Sequence, residues 1–199
     1  MSKIILASAS PRRKMLLESA GVDVTVEASE VDERHEGEET PLNYVRRISR
    51  EKARWVSEKH PEEKVIVIAA DTIVVQDGRI LGKPADTAEA FRMLSQLSGR
   101  VHSVMTGVCV VDVRRRHTKQ FVCETHVHFT ELSEARIRRY VESGEPLDKA
   151  GAYGIQGHAA GFVSRIEGSY TNVVGLPLCE TLAALENLGI YESLELNAS

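Results

Sequence analysis

Long apolar runs are missing from this 199-residue chain, and the most hydrophobic stretch, Val65 to Val75, is broken by Asp71. No segment reaches the roughly 20 apolar residues that cross a bilayer. The first residues also lack the apolar core and cleavage site of a secretory signal, so a cytoplasmic setting with no membrane partner is expected. Cysteine is scarce. Cys109, Cys123 and Cys179 are odd in number, far apart and without finger spacing, which excludes a disulfide framework or a zinc finger and suits reduced structural thiols. A positive excess is absent too: 25 Lys and Arg against 29 Asp and Glu leave a net charge of −4 and a pI near 6.0, which argues against general nucleic-acid binding. No Walker glycine frame accompanies the arginines, and no Cys–His or Ser–His pattern suggests a nucleophile.

What remains is an ordinary globular composition, 42% hydrophobic and 27% charged, with enough chain for one large domain and a core. Periodicity and turn residues predict strands at 3–8, 22–26, 64–75, 79–81, 101–113 and 120–130, with the last two forming a hairpin around Arg114-Arg115-Arg116. Helices are expected at 11–20, 42–59, 87–97, 133–143 and 178–188. Between 145 and 175, glycine-rich sequence suggests short strands near 161–166 and 170–174. No linker divides the chain, so a single domain over 1–199 is expected. Its fold class is α/β, a mixed twisted sheet flanked by helices, with two lobes around a central cleft.

The stretch Ile4 to Leu17 reads as a buried strand, a polar turn at Ser8-Ala9-Ser10 and a helix start. Ser10 is a suitable N-cap and Pro11 suits the first helical position. Arg12 and Arg13 then fall in the first turn, where the helix dipole disfavours cations. Backbone N–H groups, hydroxyls and guanidinium forks there make a phosphate cradle; an exposed basic helix start is the alternative.

Other charges sit in costly places. Asp71 lies inside a β-branched strand, so it needs a pairing partner, a metal or a strand end that reaches water. Lys52 shares a helical stripe with Val45, Ile48 and Val56, so it either snorkels outward or meets a buried anion. Lys83 sits in a shaped Gly82-Lys83-Pro84 loop. Glu33 belongs to an acidic loop, 28–40, and gains meaning only with a second carboxylate, since two can hold Mg²⁺ or Mn²⁺. Gln156, in the small-residue run Asp148 to Gly157, carries the paired donor and acceptor that read a base edge. His126 and His128 share one strand face and are either metal ligands or a surface pair.

These segments, in order, resemble the Maf family of nucleotide pyrophosphatases. The resemblance rests on Leu6 to Arg13, Arg50-Glu51-Lys52-Ala53, Ala69-Ala70-Asp71-Thr72, Gly82-Lys83-Pro84, Leu97 to His102, Glu145 to Gly157 and Gly168 to Pro177. It implies hydrolysis of a nucleoside triphosphate to the monophosphate and pyrophosphate, a fold like that of the inosine triphosphate pyrophosphatases, and a homodimer. It also implies Asp71 as catalytic base, Glu33 as its partner in binding a divalent metal (Mg²⁺, Mn²⁺ or Co²⁺), Lys52 and Lys83 as phosphate ligands, and Ser8 and Arg13 in the phosphate-binding turn. Arg12, Thr72 and Gln156 match the subgroup acting on dTTP and UTP. By the same resemblance, the subgroup acting on 7-methyl-GTP typically has an aromatic residue in place of an arginine such as Arg12 and a glutamate in place of a glutamine such as Gln156. A neutral glutamine suits the pyrimidine 2,4-dione edge. The alternatives are the same hydrolysis on 7-methyl-GTP or CTP, and a non-catalytic nucleotide-binding regulator of cell division.

Overall fold

The computed structural model describes residues 2–61 and 63–191. Its central strand is β3 (Val65–Gln76), buried along almost its whole length. A strand covered on both faces shows a near-continuous apolar run, and its period of two sorts the side chains. Ile66, Ile68, Ala70 and Val74 enter one core. Val65, Val67 and Ala69, then Ile73 and Val75, enter two clusters on the opposite face. Asp71 falls between those two clusters by the same alternation.

The sheet order is β2-β1-β3-β5-β6-β7. Strand β1 (Lys3–Leu6) runs parallel to β3, and β2 (Thr25–Val26) runs parallel to β1. On the other edge of β3, β5 (Val101–Asp112), β6 (His117–Phe129) and β7 (Val163–Glu167) continue antiparallel. Strand β4 (Arg79–Leu81) folds back on the end of β3 through Asp77-Gly78. Both turn residues have positive φ, 51° and 74°, which the tight hairpin demands.

Helix α2 (Pro41–Ser57) covers one face through Tyr44, Val45, Ile48, Ser49, Lys52, Ala53 and Val56. Fully burying a side chain such as Ile48 contributes about 1.5–3 kcal/mol. The opposite face carries α1 (Pro11–Ser19), α3 (Thr87–Leu97), α4 (Glu134–Glu142), α5 (Tyr170–Val174) and α6 (Leu178–Asn187), all feeding one core. The result is the expected mixed sheet flanked by helices.

One topological detail makes the cleft. Strand β1 pairs with β3 only over Val65–Ile68, and β4 pairs with it only over Val74–Gln76. The edge of β3 between them has no strand neighbour. Asp71 and Thr72 lie in that gap and project to opposite faces of the sheet. The turn after β1 flanks the gap at one end and the loop after β4, with Lys83, at the other.

Three local expectations need correction. The strand expected over Val22, Val24 and Val26 shrinks to Thr25–Val26. Val22 instead closes α1, donating its N–H to Leu17 O at 3.0 Å after Gly21 at φ 76°, and buries its side chain in the core. The strand expected at 170–174 is helix α5. Ser169 Oγ caps it by accepting the Asn172 N–H at 3.2 Å, and this outweighs the β preference of two valines. Finally, α1 does begin after Ser10, but the Ser10 hydroxyl makes no cap bond; its N–H donates to Ser8 Oγ at 3.3 Å.

Candidate active site

The gap in β3 opens into a cleft of about 690 Å³ that brings together Ser8, Arg12, Arg13, Glu33, Lys52, Asp71, Thr72, Lys83 and Gln156. All nine of these were singled out from the sequence; His126 and His128, also named there, lie outside the cleft. The environments of the nine differ.

Lys52 does not snorkel. Its Nζ lies 2.7 Å from Asp71 Oδ1 and 2.7 Å from Glu33 Oε1, so the two carboxylates converge on one cation. The Lys52 and Asp71 side chains are only 8% and 9% exposed, whereas Glu33 is 53% exposed. A buried charge without a partner is costly, and this ion pair meets that requirement for both groups. Glu33 reaches the pair from the acidic loop because that loop is tethered. Tyr44 donates its hydroxyl to Glu33 O at 2.7 Å. Arg47 reaches Glu39 at 2.9 Å and Arg34 O at 3.0 Å. Burial, and then the negative field of Asp71 and Glu33, pushes the Tyr44 phenol well above its usual range, so Tyr44 stays a donor.

The two arginines of α1 separate sharply. Arg13 is buried and donates Nε to Gly175 O (2.7 Å), Nη1 to Ser8 Oγ (2.8 Å) and Nη2 to Thr72 Oγ1 (3.0 Å). These three bonds leave two of the five N–H groups of a guanidinium. Burial lowers its pKa from the usual range, while Asp71 and Glu33 act in the other direction. Arg13 thereby ties the N-terminal turn to β3 and the end of α5 while still lining the cleft. Thr72 is drawn into the same tie, since its hydroxyl also lies 2.9 Å from Thr106 Oγ1 and 3.2 Å from Gly175 O. Arg12 is half-buried and Lys83 exposed; both line the cleft, with no ion pair among the described residues.

Glu33 and Asp71 are the residues that could hold a divalent metal. Mg²⁺ sites use one or two carboxylates and complete the shell with water and substrate phosphates. The donor set fits that pattern, and the Lys52 ammonium already marks a place for positive charge between the two acids. Among the described residues no group of three or more His, Cys, Asp or Glu side chains forms a metal cluster, His126 and His128 included. Those histidines face Ser103 (3.1 Å) and Glu167 (3.0 Å) instead.

Residues 3–188 match the family described as Maf-like protein. The chain belongs to that family. A dTTP/UTP pyrophosphatase of Geotalea uraniireducens (strain Rf4) is 51% identical over 191 residues, covering 96% of this chain and 97% of its own. Another from Symbiobacterium thermophilum is 51% identical over 191 residues, with 95% of each chain covered. One from Bacillus pumilus (strain SAFR-032) is 47% identical over 190 residues, covering 96% and 98%. Among solved structures, a HAM1 protein from Coxiella burnetii superposes with a TM-score of 0.48 at 16% identity, covering 94% of this chain and 100% of that one.

The Maf-like site also depends on residues that sequence reasoning passed over. Asn172 is fully buried and donates Nδ2 to Val104 O and Thr125 Oγ1, both at 3.0 Å, which fixes α5 and with it the Gly175 carbonyl. Gly107 is the ladder partner of Asp71 and lets the backbone of α2 pass directly over β5. A glycine inside a predicted strand was the available signal for a close backbone approach.

Proposed function

We propose that this chain hydrolyses dTTP and UTP to the monophosphate and pyrophosphate. The observation that carries the reading is Lys52 held between Asp71 and Glu33 at the floor of a cleft whose walls carry Arg12, Lys83 and Gln156. The names of the relatives support the same substrates. Asp71 accepts the proton of the water that attacks the α-phosphorus. Lys52 holds the Asp71 carboxylate in position, and Glu33 holds Lys52 from the other side. Lys83, on the cleft wall, neutralises charge growing on the pyrophosphate leaving group, and Arg12 stands with Thr72 and Gln156 among the residues that select the nucleotide. A divalent cation, Mg²⁺, Mn²⁺ or Co²⁺, held by Glu33 and Asp71 would supply further neutralisation of phosphate oxygens. Gln156 faces the cleft with an exposed amide, neutral and able both to donate and to accept, as a pyrimidine dione edge requires. Ser8 contributes indirectly by accepting from Arg13. The homodimer and the cytoplasmic setting implied by resemblance and composition belong to this same reading.

The test is pyrophosphate release from a panel of dTTP, UTP, CTP, GTP, inosine triphosphate and 7-methyl-GTP with each of the three metals. dTTP and UTP should be the best substrates. Asp71→Asn should lower turnover at least about a hundredfold while leaving the fold intact, since a positioned base contributes that much or more. Near-normal turnover in that variant would sink the assignment of Asp71. Tight nucleotide binding by the wild-type chain without any turnover would instead favour a regulator.

A further inference from the structure

Gln156 is presented by a tight turn. The Gly157 N–H donates to Gly154 O at 3.0 Å, with Ile155 and Gln156 as the central residues. Ile155 is buried in the core, and Gln156 is exposed to the cleft. The turn itself belongs to no strand or helix. Besides Ile155 in the core, its ties converge on one carboxylate. Glu145 Oε1 accepts from Tyr140 Oη at 3.0 Å, and Tyr140 Oη in turn accepts the Gly154 N–H at 3.2 Å. Glu145 Oε2 accepts the His158 N–H at 3.2 Å and lies 2.7 Å from His158 Nδ1. The turn is therefore tied to Glu145 on both sides of Gln156.

The packing is as close as the bonding. A Cβ at Gly157 would lie 2.0 Å from Glu145 Oε1, and one at Gly154 would lie 2.7 Å from Lys149 Cε. Lys149 Nζ donates to Glu145 O at 2.7 Å, so the main chain of Glu145 is gripped as well. The Glu145 side chain is only 18% exposed. The carboxylate lines the cleft beside the turn, and its bonds run to the turn at His158 and, through Tyr140 of α4, to Gly154.

We propose that Glu145 is a positioning residue for base recognition: its carboxylate, packed against Gly157 and bonded to Tyr140 and His158, sets the turn that presents Gln156. This rests on the reading that Gln156 faces the nucleotide base. Loss of Glu145 then moves the base contact and leaves the phosphate chemistry alone, so it acts on KM and on base preference rather than on kcat.

The experiment measures kcat and KM for dTTP, UTP, CTP and GTP in the wild type, Glu145→Ala, Glu145→Gln, Gln156→Ala and the Glu145→Ala/Gln156→Ala double variant. Glu145→Ala should raise KM for dTTP and UTP about tenfold, the equivalent of roughly one good hydrogen bond, with kcat within about twofold. The dTTP-to-GTP preference should fall by a similar factor. Glu145→Gln keeps one oxygen acceptor and should recover part of the loss. The double variant should show the same preference as Gln156→Ala alone, because both changes act on one contact. A lowered kcat at unchanged KM, an intact base preference, or losses that simply add would overturn the proposal. If Glu145→Ala folds poorly, Gly157→Ala drives a Cβ into the Glu145 carboxylate, parts it from the turn, and should reproduce the KM and preference changes; wild-type behaviour there overturns the proposal equally. A wild-type chain that releases no pyrophosphate from any triphosphate refutes the parent function and this inference together. An active wild type with unchanged Glu145 variants refutes this inference alone.

Discussion

Gly107→Ala tests how the fold places its central ion pair. Helix α2 crosses β5 with the Val45 carbonyl over Gly107, where a Cβ would sit 2.2 Å from Val45 O and 2.6 Å from Val45 C. Comfortable contact between heavy atoms begins near 3.5 Å, so about 1 Å must be recovered. Both obstructing atoms are backbone, so α2 itself has to retreat. Alanine is the better strand residue by about 0.5–1 kcal/mol, but overpacking costs about 1–3 kcal/mol, and a rigid backbone obstruction belongs at the upper end. The net loss is about 2 kcal/mol, which lowers Tm by about 4–8 °C in a chain of this size. The same retreat draws Lys52, about two helical turns beyond Val45, away from Asp71, now 2.7 Å distant. A 1 Å misplacement of catalytic groups can cost about a hundredfold, so kcat should fall between about ten- and a hundredfold. Thermal melts and pyrophosphate release measure the two effects. A variant with wild-type Tm and kcat would refute the account of how α2 docks. A lowered Tm with unchanged kcat would refute the coupling of that docking to Lys52.

The two arginines of α1 should respond differently to alanine. Arg13→Ala removes three charge-assisted hydrogen bonds, two of them fully buried, and should cost at least about 2 kcal/mol, read in urea unfolding, with activity lost on every nucleotide alike. Arg12→Ala should keep wild-type stability and change the ranking of nucleotides; equal unfolding midpoints for the two variants would contradict this division. His102 sets a pH dependence. It is 3% exposed, its Nε2 lies 2.8 Å from Tyr153 Oη, and burial, with a smaller contribution from His128, pushes its pKa down to about 4 from 6.5. Between those values the unfolded chain binds a proton that the folded chain does not, so this stability is complete above pH 6.5 and is lost as pH falls towards 4, by about 3 kcal/mol. His60, raised by Glu27 and Glu63, acts in the opposite sense, so the slope is read as the difference between wild type and His102→Gln. Parallel profiles for the two would refute the assignment.

Much of the fold is legible in the sequence for a simple reason. The long strands and most helices carry their own period and punctuation: Asp86 accepts the Glu89 N–H at 2.7 Å to start α3, and Asp77-Gly78 turns β3 into β4. The misread segments are short and β-branched. At 170–174 a hydroxyl cap and the buried Asn172 side chain decide for helix, and neither is expressed as a period. Asp71 and Lys52 were legible as site residues because each puts a charge in an apolar pattern, a local cost that demands a partner. Glu33 was legible only in company, as a second carboxylate and through the family resemblance, since its loop is acidic and mostly polar; Tyr44 and Arg47, by tethering that loop, bring it to Lys52.

The sequence alone determined which residues bear charge and which face of each long element is apolar, because those follow from composition and from the periods of helix and strand. Tertiary structure alone decided which of two adjacent arginines is buried. Arg12 and Arg13 differ by about 100° around α1, and the packing of α5, which sets the Gly175 carbonyl against Arg13 Nε at 2.7 Å, buries Arg13 in the cleft wall and leaves Arg12 half-buried. It likewise decided that β1 and β4 stop short of each other along β3, and that unpaired edge is where Asp71 borders the cleft.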